Sequence, residues 1–175
     1  VRAGKGASRV ALASAAERSE AMSASASLKI IPMTEADIES VIVLWNTTPG
    51  VGLNESDSPA QLRLFLARNP GMSLVARDGS RLIAAVMCGH DGRRGFLYHM
   101  AVLPEYRRRG LGRQLIDRCL KTLAAEGILK CNALVLVDND GGQEFWRRGD
   151  WHHRSDLILF QRSTTDKNAD SAGDS

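Results

Sequence analysis

Aromatic residues are scarce in this chain, 5% of its 175 residues, and so are proline (five) and cysteine (three). Cys88, Cys119 and Cys131 are odd in number and form no Cys-x-x-Cys pair. Each lies in an apolar stretch, the pattern of small core residues under reducing conditions rather than of a disulfide framework, so a cytoplasmic setting is expected. No run approaches the roughly 20 apolar residues of a membrane span, and no membrane partner is expected. His90 and the adjacent His152 and His153 come without carboxylates at ligand spacing, so no metal is expected. Two familiar phosphate loops, Gly-x-x-x-x-Gly-Lys-Ser/Thr and Gly-x-Gly-x-x-Gly, are missing, as are internal repeats.

The composition that remains, 43% hydrophobic and 25% charged with a net charge of +3, suits one domain with a sizeable core and an anionic ligand. Residues 1–26 are rich in Ala, Ser and Gly and are expected to be a disordered or weakly helical extension. Arg2, Lys5 and Arg9 before a short apolar run only faintly mimic an export signal, which Glu17-Arg18 interrupts. Met22 is the expected natural start. Residues 27–162 form the domain, and 163–175 are a polar, disordered tail.

Within the domain, Leu28 to Pro32 reads as a strand. Thr34 caps a helix whose buried stripe is Ile38, Val41, Ile42 and Trp45. Thr47 to Asp57 is a loop too long to be only a connection. Ser58-Pro59 opens a second helix, which Asn69-Pro70-Gly71 closes. Met72–Arg77 and Arg81–Gly89 are strands joined by the hairpin signal Asp78-Gly79-Ser80. Cys131 to Val137 and Leu157 to Gln161 are later strands, with a helix over Asn139–Arg148 between them.

The chain is organised around Phe96 to Gly112, FLYHMAVLPEYRRRGLG. A continuous apolar and aromatic run ends at Pro104, as a buried strand does. From Leu111, apolar residues recur at helical spacing through Leu115, Cys119 and Leu123. Between strand and helix stand Arg107, Arg108 and Arg109, with Arg113 following. A helix N-terminus carries partial positive charge and free N–H groups, so four arginines there repel one another unless an anion such as a phosphate sits in the turn. Gly110 and Gly112 let backbone N–H groups approach it closely. The plainer reading is a solvated basic turn with glycines that ease the bend.

Arg107-x-x-Gly110-x-Gly112, placed after LYHMAVLPEY and before a helix, resembles the acyl-CoA signature of the GCN5-related N-acetyltransferase (GNAT) superfamily. The likeness runs from about Leu28 to Arg162 and is nearest to small bacterial members related to the ribosomal-protein N-acetyltransferases. It implies a mixed α/β fold: a central twisted mixed sheet, helices on both faces, and fourth and fifth strands splayed around acyl-CoA. It implies acetyl-CoA as acyl donor and a primary amine, on a small molecule or a peptide, as acceptor. The pantetheine arm would pair with backbone at Met100, Ala101 and Val102. The pyrophosphate would lie on the turn from Arg107 through Arg108, Arg109, Gly110, Leu111 and Gly112 to Arg113. Asn139 would contact the pantetheine arm, and the Val102 N–H would donate to the thioester oxygen.

A lysine-like amine has a pKa of about 10.4, so it must lose a proton before it can attack. Here the chain departs from the family. Phe96 stands where one branch has its glutamate base and Leu134 where another has its own; Trp146 replaces the general-acid tyrosine. Gly149-Asp150-Trp151 replaces the usual Leu-Gly-Phe. Strand alternation places Phe96, Tyr98 and Met100 on one face and Leu97, His99 and Ala101 on the other. The 96/98 side would face the acceptor, so Tyr98 is the polar candidate to position the amine or relay its proton. His99 has the better-suited side chain but falls on the opposite face, where a hydrogen-bonded core histidine is expected. Trp146 would pack on the pantetheine arm and could donate to sulfur, or merely plug the core beside Phe145.

Two other classes remain open on sequence: a non-catalytic acyl-CoA-binding or regulatory module, and nucleic-acid binding through the arginines. Nucleic acid is not the expected partner, since the basic residues lack interleaved aromatic stacking platforms. A homodimer is compatible with the family. The acceptor is left to the 47–57 loop, the second helix and residues 149–155.

Overall fold

The computed structural model describes residues 28–164. The expectations for the N-terminal extension, for Met22 and for the tail past 164 lie outside the described residues.

Strands β1 (Leu28–Pro32), β2 (Leu74–Asp78), β3 (Arg81–His90), β4 (Gly95–Val102) and β5 (Cys131–Ala133) form one sheet in that order. The first three pairings are antiparallel and β4–β5 is parallel. Helices α1 (Ile38–Asn46) and α2 (Pro59–Arg68) cover one face. Helix α3 (Leu111–Ala125) covers the other, and α4 (Asp140–Arg147) adds Trp146 to that core. The architecture is thus the expected mixed α/β sheet with helices on both faces.

The central strand β3 is buried almost throughout, from Ile83 to Gly89. Strands covered on both faces read as unbroken apolar runs, and this one does. Ala84, Val86 and Cys88 meet α3 residues Leu111, Leu115, Cys119 and Leu123. Ala85 and Met87 meet Val41, Trp45 and Leu62 on the opposite side. The stripe of α1 is Ile38, Val41, Leu44 and Trp45; Leu44 takes the buried place expected of Ile42, which is half-buried.

Two strand expectations are corrected. The fifth strand stops at Ala133 instead of reaching Val137, because it pairs with β4 only at Gly95–Leu97. From Tyr98 onward β4 is paired with β3 alone, so the two strands part and leave a β4 edge open. Leu157–Gln161 forms no strand. Its apolar composition favours extended chain, but a strand needs a ladder partner, and this segment has none. Leu157, Ile158, Leu159 and Phe160 are exposed instead.

Candidate active site

A cleft of about 1810 Å³ opens where β4 and β5 separate. Its walls include Tyr98, Met100, Ala101, Val102, Arg107, Arg108, Gly110, Leu111, Gly112, Arg113, Asn139 and Trp146. Of the residues expected from sequence to bind the cofactor or act in catalysis, Arg109 alone stays off this wall. Its guanidinium lies over the Tyr106 ring, 5.5 Å from the centroid. Tyr106 is anchored by a hydrogen bond from its hydroxyl to Asp78 (2.8 Å).

At the end of β4, Leu103 N–H donates to the Ile83 carbonyl (2.9 Å), toward β3. Alternation along extended chain then turns the N–H and C=O of Val102 the other way, onto the open edge. There the Val102 carbonyl accepts from Arg107 Nε (2.8 Å). A 3-10 turn, Pro104–Tyr106, leads to the arginine-glycine bend. Arg108 (φ 60°) and Gly110 (φ 77°) are both left-handed, and α3 begins directly after them. No acidic residue lies in the first turn of α3 and no side chain caps it, so its N–H groups remain free for an anion. The side chains of Arg108 and Arg113 make no ion pair or hydrogen bond among the described residues. At Gly112 a Cβ would come within 2.6 Å of Met100 Cε and 3.4 Å of the Phe145 ring. The helix approaches the strand that closely only because this residue has no side chain.

On the other side of the sheet, even alternation fails. Tyr98 pairs with Met87 and Ala101 with Ala85, so His99 and Met100 together face the single residue Val86. This is a β-bulge, and His99 takes its left-handed position (φ 50°). The expected grouping of Met100 with Phe96 and Tyr98 is therefore corrected. Met100 packs with the α3-side core, and Tyr98 with the α1/α2-side core, where Ala101, expected opposite Tyr98, also lies. His99, placed by alternation away from the acceptor, lies on Tyr98's side and packs at a tilt against Trp45, 5.0 Å between ring centroids. Both His99 and Tyr98 line the cleft.

His99 Nε2 is 2.6 Å from Asp57 Oδ1. Asp57 belongs to the 47–57 loop, in a 3-10 turn (Glu55–Asp57) closed by a capping box. The Asn54 N–H donates to Asp57 Oδ2 (2.9 Å), and Asn54 Oδ1 accepts from the Ser56 N–H (2.8 Å). Sequence reasoning missed this pair. The string Asn54-Glu55-Ser56-Asp57 carries the capping signal that fixes the carboxylate, but nothing in it points 42 residues ahead to His99.

Tyr98 stacks on Phe96 (5.8 Å) and meets Phe65 edge-on (6.2 Å). Burial, with Asp91 and Cys131 adding, raises its hydroxyl above the ordinary value of 10.0, so it stays protonated at neutral pH. Burial, with Cys88 adding, pushes the Cys131 thiol up to about 12, and Cys119 is raised too by its contact with Cys88. Raised thiols are poor nucleophiles, in keeping with packing roles.

Asn139 closes the cleft's far wall. Its Oδ1 accepts from the Gly142 N–H (2.8 Å), capping α4, and its Nδ2 donates to the Gly50 carbonyl (3.1 Å). The amide thereby straps the 47–57 loop to α4. Trp146 meets Trp151 (4.6 Å) and Phe145 (5.3 Å) edge to face. Gly50 has φ 82°, and a Cβ there would lie 2.3 Å from Asn139 Nδ2. Gly50→Ala is expected to cost about 1–3 kcal/mol in urea unfolding, from backbone strain plus the lost strap. In an Asn139→Ala background the clash vanishes, so the same substitution should cost less. Equal costs in the two backgrounds would show that the strap contributes nothing.

Among the described residues no group of three or more His, Cys, Asp or Glu could hold a metal ion, and no helix is long and apolar enough to cross a membrane.

The profile of the acetyltransferase (GNAT) family matches residues 38–150. An acetyltransferase of Yersinia enterocolitica is 31% identical over 140 residues, 80% of this chain and 99% of the relative. Among solved structures, the aminoglycoside 6′-N-acetyltransferase of Acinetobacter haemolyticus superposes with a TM-score of 0.64 at 20% identity, covering 78% of this chain and 99% of the other. The PaiA N-acetyltransferase of Thermoplasma acidophilum, solved with coenzyme A, superposes with a TM-score of 0.61 at 22% identity, covering 70% and 87%. At these identities the two structures speak for the fold.

Proposed function

The chain belongs to the acetyltransferase (GNAT) family, and from that premise we propose that it transfers an acetyl group from acetyl-CoA to a primary amine. The observation that carries this reading is the continuity of the cleft. One wall joins the open β4 edge at Val102 to the arginine-glycine turn, the two surfaces that an acyl-CoA needs. The fit is specific to an elongated anion: free helix N–H groups and unpaired Arg108 and Arg113 suit phosphates, and Gly112 leaves room beside Met100.

When bound, acetyl-CoA supplies an acetyl carbonyl activated by a good leaving group. The chain's own residues do the rest. The Val102 N–H, directed at the open edge, donates to the oxygen where negative charge develops. Arg107, by holding the Val102 carbonyl, fixes the peptide unit next to the one that carries this N–H. Asn139 contributes by holding the loop wall in place; in this reading that is its link to the pantetheine arm. Tyr98, protonated and set between Phe96 and Phe65, positions the amine as a hydrogen-bond partner and does not remove its proton.

The test is a screen of amines, polyamines, amino acids and peptide N-termini with acetyl-CoA, read by release of free thiol. Acetyl-CoA binding with no release on any amine would mark a non-catalytic acyl-CoA-binding protein instead.

Trp146 faces the same cleft on α4 and donates through its indole N–H but is no proton-transfer acid near neutral pH. Because a thiol has an ordinary pKa of about 8.5, thiolate departure does not demand one. Trp146→Phe is expected to keep most of the acetyl-CoA affinity and lower turnover a few-fold, and Trp146→Tyr to be tolerated or faster. A Trp146→Phe protein unchanged in stability, affinity and rate would leave Trp146 with no part in the reaction.

A further inference from the structure

We propose that His99 is the general base of the acetyl transfer and that Asp57 is its positioning residue. The inference rests on the acetyl-CoA-to-amine reading above.

The geometry is that of a fixed base. An aspartate carboxylate can only accept, so the 2.6 Å contact makes His99 Nε2 the donor and leaves the lone pair on Nδ1. Nδ1 has no partner among the described residues. The one buried side-chain polar atom left unpartnered there is Trp45 Nε1, so Nδ1 is not sealed from solvent. The ring cannot easily turn away: Trp45, fully buried, packs against it at a tilt, and the Asn54–Asp57 capping box holds the carboxylate.

Position supports the same role. The bulge carries His99 to Tyr98's side of the sheet, three residues before Val102, and both line the cleft. Asp57 is the charged group set against the ring, the Tyr98 hydroxyl is the nearby titratable group on the same wall, and α1 presents the uncharged Trp45. A left-handed histidine is an uncommon conformation, kept where surrounding structure imposes it. Phe96 and Leu134, at the two positions where the resemblance implies a glutamate, cannot act as bases.

In the step proposed, one proton passes from the acceptor ammonium to His99 Nδ1. The freed nitrogen lone pair forms the C–N bond to the thioester carbonyl carbon. The C–S bond breaks with its electron pair on sulfur, and the amide nitrogen's surplus proton neutralises that thiolate. His99 then returns its proton to solvent.

The test uses the full chain, acetyl-CoA and the best amine from the screen. His99→Asn, a residue that tolerates the left-handed backbone, should lower kcat/KM at least ~100-fold, as expected for a lost general base. Its acetyl-CoA Kd by calorimetry should stay within about twofold, and the acidic limb of its pH profile should disappear. Added imidazole should partly restore His99→Gly, which a purely structural histidine would not allow. As a readout independent of turnover, nitrogen-15 spectra of the wild-type ring should show the Nε2–H tautomer, and Asp57→Asn should scramble it. His99→Asn retaining kcat/KM within threefold and an unchanged pH profile, in an active wild-type background, would overturn the dyad alone. A wild type that turns over no amine would overturn the acetyl-transfer reading and the dyad's role with it.

Discussion

Gly112→Glu is expected to weaken acetyl-CoA binding by about 2 kcal/mol or more, roughly thirtyfold, when measured by calorimetry. The substitution sets a carboxylate in the first turn of α3, which has no acidic residue or side-chain cap of its own and stands in the cleft with Arg108 and Arg113. The carboxylate would satisfy the donors there itself and repel the pyrophosphate. Its Cβ also meets Met100 Cε at 2.6 Å, but that is the end of a flexible side chain and can shift. Gly112→Ala separates the two effects: it keeps the crowding without the charge and should lose only a small part of the affinity. An unchanged affinity in Gly112→Glu would remove the phosphate assignment altogether.

The second large effect concerns stability. Asp37→Asn should cost about 2 kcal/mol at pH 7, in the range for hydrogen bonds to a charged group, since the carboxylate is buried but its Arg77 partner is partly exposed. Asp37 is 5% exposed and accepts from both the N–H and the hydroxyl of Thr34 (2.8 Å each), while Arg77 donates to its second oxygen. Burial alone would raise its pKa, but the hydrogen bonds from Arg77 and Thr34 outweigh burial and hold it below the ordinary 3.8. A carboxylate depressed on folding contributes stability that is complete above its unfolded pKa and is lost as pH falls through its folded one. The wild-type advantage should therefore hold from pH 7 to about 5 and shrink below 3.8, as urea titrations at pH 7, 5 and 3 would report. An advantage that stayed constant to pH 3 would contradict the assignment.

The elements that sequence places well are those whose period survives in the structure. β1 occupies Leu28–Pro32 as read, and α3 runs from Leu111 with Leu115, Cys119 and Leu123 inward. The turn from Arg107 to Gly112 was legible because its charges contradict ordinary helix-end preference. Two kinds of information were not. A bulge adds a residue without changing composition, so the period-2 reading of β4 held through Tyr98 and then assigned His99, Met100 and Ala101 to the wrong sides. Contacts between distant segments leave no local trace either, which hid both Asp57 against His99 and Asn139 against Gly50. Leu157–Gln161 shows the converse, since strand-like composition yields no strand without a partner edge.

The bulge has a consequence for how such a protein can diversify. An evenly pleated strand would deal its successive side chains alternately to two compartments, tying any change in one to its neighbours in the other. Here adjacent positions 98 and 99 both serve the α1/α2 compartment, while 100 and 102 serve the α3 compartment. In the function proposed above, substitutions at Tyr98 would alter the acceptor side, with His99 held fixed as the base, while Met100, Val102, Arg107 and the glycines would keep the donor side unchanged. The strand thus separates into two modules that can drift independently, joined at a single irregular step.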